Sequence, residues 1–111
     1  MKLTDRIENG IVIMEPKGKI MGGPDATLLH DKLHEYLENN QRQIVIDLSK
    51  VEWMNSTGLG ILISGYTTLK NANGNLKLVG VNKRIDQIFM VTKLHTIFEA
   101  FEEEASALAS F

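Results

Sequence analysis

Two kinds of apolar pattern alternate along this chain: short continuous runs, and sets of residues spaced three or four apart. Continuous runs predict strands buried on both faces of a sheet, whereas the wider spacing predicts amphipathic helices. The clearest strands are Ile44–Leu48, which we expect at the centre of the sheet, and Leu76–Val79. Apolar residues at helical spacing predict a first helix over about 24–39 and a second over about 56–71.

The beginning of the chain predicts a small hairpin. The β-branched run Ile11–Met14 forms its first strand, and Lys19–Met21 forms a second, shorter one. Pro16 and Gly18 lie between them and are expected to interrupt the extended backbone. The sheet therefore starts with two short strands joined by a turn.

The last third of the chain predicts a further helix, an edge strand and a closing helix. Asn82 is a suitable N-cap for the third helix, and Thr96–Phe98 is β-branched and aromatic enough for a short edge strand. The closing helix is indicated by apolar residues at helical spacing, namely Phe98, Phe101, Ala105 and Leu108.

This order of elements predicts one α/β domain over residues 1–111. Strands that alternate with helices form βαβ units, so the sheet is expected to be mixed but mainly parallel, with about four helices. A length of 111 residues, with 43% hydrophobic and 23% charged residues, suits one compact core and leaves no room for a second domain.

Composition excludes several classes of function. A net charge of -2 gives no basic surface for nucleic acid, and zero cysteines exclude thiolate nucleophiles and cysteine-ligated metals. The sequence shows neither a signal peptide nor a membrane span. We therefore expect a cytoplasmic protein, with a monomer favoured as its oligomeric state.

The segment Met54–Gly60 carries the candidate chemistry. It leaves the central strand region and opens the second helix, with Ser56 placed as the N-cap, a role that Asn55 or Thr57 could share. Gly58 and Gly60 both fall in the first turns, where glycine costs about 0.5–1 kcal/mol relative to alanine. A close approach of backbone is therefore expected here.

Three chemical interpretations of Ser56 compete with simple capping. A hydrolase is disfavoured because the Gly-x-Ser-x-Gly elbow is absent, and a nucleotide-binding loop because the segment has no lysine. The third interpretation is phosphorylation of an exposed hydroxyl at a helix N-terminus. His30 and His34 lie four residues apart, as zinc ligands can, but no third ligand is indicated, so neither a metal nor a cofactor is predicted.

The run Ile46–Ser49, followed by Val51, Met54 and Ser56–Gly60, resembles the signature of the STAS domain, specifically of the bacterial anti-sigma factor antagonists. The order of elements agrees over nearly the whole chain. The resemblance implies a regulatory protein rather than an enzyme.

In that family, an unphosphorylated antagonist binds an anti-sigma factor that is itself a serine kinase and so releases the sigma factor. Phosphorylation ends the binding, and a serine phosphatase restores it. The resemblance carries over Ser56 as the phosphoacceptor and Thr57 as a second candidate. It implies that the partner-binding residues are Met54, Asn55, Ser56, Thr57, Gly58, Leu59 and Gly60, together with Asp25.

Two departures from the family pattern keep an alternative open. Asn55 stands where many antagonists have aspartate, and the acidic residue expected directly after Ile20 is absent, with Asp25 as its expected substitute. The alternative is a STAS scaffold subunit of a signalling or transport assembly, in which Ser56 is not phosphorylated and only caps its helix.

Overall fold

The apolar runs form the middle of a six-stranded sheet in the computed structural model, which describes all 111 residues. The elements in chain order are β1 (Lys2–Glu8), β2 (Ile11–Ile20), α1 (Pro24–Glu38), β3 (Gln43–Asp47), β4 (Val51–Met54), α2 (Ser56–Asn71), β5 (Asn75–Val79), α3 (Lys83–Val91), a 3₁₀ turn (Leu94–Thr96), β6 (Glu99–Phe101) and α4 (Glu104–Ala109). The strand order is β1-β2-β3-β5-β6, and β4 pairs with β2. Only β1 and β2 are antiparallel, so the mixed, mainly parallel sheet with four helices is confirmed.

The helices cover the two faces of the sheet unequally. Side chains alternate between faces along a strand, so Val12 and Met14 pack under α1, α2 and α3, whereas Ile11 and Ile13 pack on the other face with Ala107 of α4. The first face holds the larger core. None of the helices is both long enough and apolar enough to cross a bilayer.

The predicted hairpin is wrong. Ile11–Ile20 is one continuous strand. Its antiparallel partner is β1, a strand that the sequence pattern did not predict. The turn lies at Asn9 and Gly10, where φ is 53° and 77°, as a tight two-residue hairpin turn requires. Pro16 does not break β2 because it lies between the segments that pair with β3 and with β4, where a missing N–H interrupts neither ladder.

The C-terminal region also differs from the prediction. The edge strand is β6, three residues beyond the predicted start at Thr96, because Phe98 turns into the core and contacts the rings of Tyr66 and Phe89. The closing helix is only α4, and Phe101 lies in β6 rather than in that helix. The predicted cap of α3 is confirmed, since Asn82 Oδ1 accepts from the Ile85 N–H at 2.9 Å.

A carboxylate cluster fastens α4 to the sheet. Glu15, Asp47 and Glu104 each place one carboxylate oxygen within 4.8 Å of the other two. Arg6 bridges Glu15 and Glu104, and Lys50 approaches Glu15 at 3.4 Å. The neighbouring Asp47 carboxylate, reinforced by burial, raises the pKa of Glu104 to about 7. Below that pH, Glu104 is protonated and the repulsion between the clustered carboxylates is reduced.

We expect the Glu104 proton to make stability depend on pH. Because its folded pKa exceeds the ordinary value of 4.5, the stabilisation is complete below pH 4.5 and is lost as the pH rises through about 7. Partial solvent exposure limits the effect to about 1 kcal/mol. Urea unfolding should therefore give a lower free energy at about pH 8.5 than at about pH 5.5, and Glu104→Gln should flatten this difference.

The matched control is Glu102→Gln, an exposed carboxylate in no salt bridge, which should keep the wild-type profile. The three histidines are present in every variant, so their titration cancels in the comparison. Parallel profiles for the wild type and Glu104→Gln would show that this proton does not stabilise the fold.

Candidate functional site

Asn55 positions the N-terminus of α2. Its Oδ1 accepts from the Gly58 N–H at 2.8 Å, which makes Asn55 the N-cap, and its Nδ2 donates to the carbonyl of Met21 at 3.1 Å. The prediction that Ser56 is the N-cap is wrong by one residue, because Ser56 is already the first helical residue. Asn55, which the sequence offered as another candidate for the N-cap, has that role in the structure.

The Ser56 hydroxyl does not contribute to the hydrogen bonding of the fold. The side chain is exposed, and its oxygen takes part in no hydrogen bond within the protein. Because Asn55 performs the capping, removal of the Ser56 hydroxyl leaves no buried group unsatisfied. The oxygen therefore faces solvent at the start of α2, beside backbone N–H groups that have no acceptor within the helix.

Thr57 is exposed like Ser56 but is in closer contact with the chain. Gly22 has a φ of 93°, and a Cβ at that position would lie 2.4 Å from the Thr57 methyl group. The Thr57 side chain thus lies over the backbone of the loop that precedes α1. Of the two candidate phosphoacceptors, Ser56 is the less restricted.

The loop of Met21, Gly22 and Gly23 forms the second half of this surface. Asp25 Oδ2 accepts from the Met21 N–H at 3.2 Å, while Asn55 donates to the Met21 carbonyl, so both backbone groups of one residue are held. Asp25 Oδ1 also lies 3.4 Å from the amino group of Met1. Asp25 and Asn55, both predicted to bind the partner, are thus connected through a loop for which the sequence predicted no role. The paired glycines were the available signal, since φ is positive at both.

The two glycines of α2 do different things. A Cβ at Gly58 would lie 2.0 Å from the carbonyl oxygen of Ile20, whereas a Cβ at Gly60 would have no atom within 4 Å. The expected close approach of backbone is confirmed, but it occurs within the protein, against the end of β2. Gly58 was expected among the partner-binding residues, but it is buried, and of these two glycines only Gly60 is exposed.

Two other predicted contact residues lie beneath the surface. Met54 is 0% exposed and Leu59 is 6% exposed, and both belong to the main core. Neither side chain can meet a partner without local unfolding, which corrects the expectation that they do. The residues that the structure does present together are Asn55, Ser56, Thr57 and Gly60, next to the 45% exposed side chain of Met21.

A groove between α1 and α2 adjoins this surface. Its volume is about 250 Å³, and its lining includes Thr57, Gly60 and Ser64 from α2 and His30 and His34 from α1. The two imidazole rings are 4.2 Å apart between centroids. No third histidine or carboxylate joins them in an arrangement that could hold a metal ion.

The electrostatics of the surface come from the backbone. The first turn of α2 contains no acidic residue. The basic residue of this helix, Lys70, lies in the last turn, at the opposite end. The partial positive charge of the helix N-terminus is therefore not neutralised by a side chain of that turn. Such an end accommodates an added anionic group within the monomer.

Comparisons with known proteins match this architecture. The STAS domain matches residues 2–107. The anti-sigma-B factor antagonist of Staphylococcus aureus is 30% identical over 74 residues, which is 67% of this chain and 68% of that protein.

Solved structures share the fold. An anti-sigma factor antagonist from Mycobacterium paratuberculosis has a TM-score of 0.84 and 23% identity, covering 98% of this chain and 92% of its own. The phosphorylated form of the Bacillus cell fate determinant SpoIIAA has a TM-score of 0.77 and 14% identity, covering 98% of both chains. A match over almost the whole chain, on the fold described above, shows that this protein belongs to the STAS domain family.

Proposed function

We propose that this protein is an anti-sigma factor antagonist controlled by phosphorylation of Ser56. The unphosphorylated form binds an anti-sigma factor that is a serine kinase, and the sigma factor is released. Transfer of a phosphate to Ser56 ends the binding, and a serine phosphatase restores it. The protein acts in the cytoplasm as a regulator and carries out no reaction of its own.

The observation that carries this proposal is the free hydroxyl of Ser56. It is exposed at the first position of α2 and forms no hydrogen bond within the protein, so a kinase can reach it without unfolding the domain. The backbone around it is fixed by Asn55 and by the tight contact of Gly58 with Ile20. A fixed backbone with a free hydroxyl suits a residue that is modified while the fold stays intact. The name of the Staphylococcus aureus relative supports the antagonist part of the proposal.

A physical argument explains how one phosphate ends the binding. At neutral pH a phosphoserine carries a charge of about -1.5 to -2. Within the monomer that charge lies at the N-terminus of α2, which favours it. In a complex, the same group lies inside the contact, where removal of water from an unpaired dianion is expensive. Modification therefore weakens binding much more than folding.

The scaffold alternative holds that Ser56 is not phosphorylated and only caps α2. In the structure Asn55 performs the capping, so capping does not account for Ser56. Asn55 still favours the alternative, because it stands where many antagonists have a charged aspartate. The Asn55 side chain donates to the carbonyl of Met21 and has no charge for a kinase to recognise.

The experiment that tests the proposal is intact-mass analysis after incubation with ATP and the anti-sigma factor of the same organism. We expect a gain of one phosphate that is lost in Ser56→Ala and kept in Thr57→Ala, with fragment mapping to Ser56. A gain that survives Ser56→Ala would assign the site to another residue. Stable binding without any gain would support the scaffold.

A further inference from the structure

A second surface lies on the side of α3 and has no part in the proposed switch. It is an open groove of about 430 Å³ between β4 and α3, lined by Trp53, Arg84, Gln87, Ile88, Val91 and Thr92. None of these residues belongs to α2 or to the loop that Asn55 holds. The groove is therefore a separate feature of the molecule.

The C-terminal part of α3 carries apolar side chains that the fold leaves uncovered. Val91, which lines the groove, is 84% exposed, and its neighbour Met90 is 54% exposed. Ile97, which follows the 3₁₀ turn, is 41% exposed. Most of the other large apolar residues on α3 are buried, including Ile85 and Phe89. Exposed large apolar side chains beside a groove are typical of an interaction surface in soluble proteins.

The one charged residue that lines the groove, Arg84, is basic. The guanidinium of Arg84 lies 4.7 Å from the centre of the Trp53 ring, and neither Arg84, Lys83 nor Lys93 forms a salt bridge. The one acidic residue of α3, Asp86, lines a different depression on the side of β6. In a protein with a net charge of -2, this groove thus combines exposed apolar side chains with an arginine that has no carboxylate partner.

We propose that this groove binds an acidic amphipathic helix of a partner protein. Arg84, Ile88 and Val91 recur at helical spacing along α3, so they form a ridge against which a second helix can pack. The apolar face of the partner helix covers Trp53 and Val91, and its carboxylates meet Arg84. This inference does not depend on Ser56 or on its phosphorylation.

Trp53 provides the measurement, because it is the only tryptophan of the chain and lines the groove itself. The probe is a synthetic helical peptide of about 18 residues, with leucine at positions i, i+3, i+4 and i+7 and with glutamate and alanine elsewhere. Its matched control has lysine in place of every glutamate. Titration of the intact protein should shift the Trp53 emission to shorter wavelength with the acidic peptide, at least about tenfold more tightly than with the basic one.

Variants decide between the possible outcomes. Arg84→Glu and Val91→Glu, both at exposed positions of α3, should each weaken binding of the acidic peptide by about tenfold or more, whereas Ser56→Asp should leave it unchanged. Thermal unfolding of each variant verifies that α3 is intact. Failure of the acidic peptide to shift the emission, equal binding of both peptides, or a shift with anionic lipid vesicles alone would each overturn the proposal.

Discussion

Gly58→Ala is expected to destabilise the domain by about 3 kcal/mol. The added methyl group would lie 2.0 Å from the carbonyl oxygen of Ile20, and that oxygen belongs to the backbone of β2, so it cannot rotate away as a side chain would. Relief requires α2 to move from the sheet, which loosens the packing of Leu59 and Leu62 in the core. Urea unfolding monitored by circular dichroism measures the loss.

Gly60→Ala is the matched control, since it makes the same chemical change two residues along the same helix. No atom lies within 4 Å of the added methyl group, and alanine is favoured over glycine in a helix interior. We therefore expect a gain of about 0.5–1 kcal/mol. Equal effects at the two positions would show that the approach of α2 to Ile20 is not a steric requirement.

This contrast shows what the sequence can and cannot predict at the site. Helix propensity marks both glycines as unusual, and the structure confirms that something requires a close approach. Which glycine serves the fold depends on the distance between α2 and β2, which no local pattern contains. The N-cap was predicted at Ser56 but is found at Asn55 for a related reason. Several consecutive side chains here can cap a helix, and the backbone conformation determines which of them does so.

The fold was predictable where burial imposes a pattern on the sequence. The β3 and β5 strands are buried on both faces, and the bounds of α2 agree with the prediction at Ser56 and Asn71. By contrast, β1 is almost wholly exposed, so its charged residues show no apolar run, and β4 is only four residues long. Edge strands of this kind are specified by their partners and not by their own composition.

The connection between Asp25 and Asn55 could not be predicted for the same reason. The two residues are far apart in the chain and meet only because β2 and β4 run parallel and end at the same edge of the sheet. Each then holds one backbone group of Met21. The sequence supplies the polar groups and the glycines, but the sheet register determines which backbone groups they reach.

Ser56→Asp is expected to weaken binding to the anti-sigma factor at least about 100-fold, while stability changes by less than about 1 kcal/mol. Aspartate introduces a permanent negative charge at the first position of α2, where the helix N-terminus favours it. The fold therefore tolerates the change, and the whole effect falls on the complex, in which that charge loses water without a partner. Isothermal titration calorimetry measures the affinity, and urea unfolding measures the stability.

The control for a general charge effect is Ser106→Asp, which makes the same substitution at an exposed position of α4, on the opposite face of the sheet. Its binding should equal that of the wild type. Ser56→Ala completes the set, because it removes the phosphoacceptor without adding charge. After incubation with kinase and ATP it should still bind as tightly as the unphosphorylated wild type does. Equal weakening by Ser106→Asp would assign the effect to net charge, and unchanged binding by Ser56→Asp would exclude Ser56 from the contact. Only loss at Ser56, with binding retained at Ser106 and in the alanine variant, fits a switch that acts through one hydroxyl on a fixed backbone.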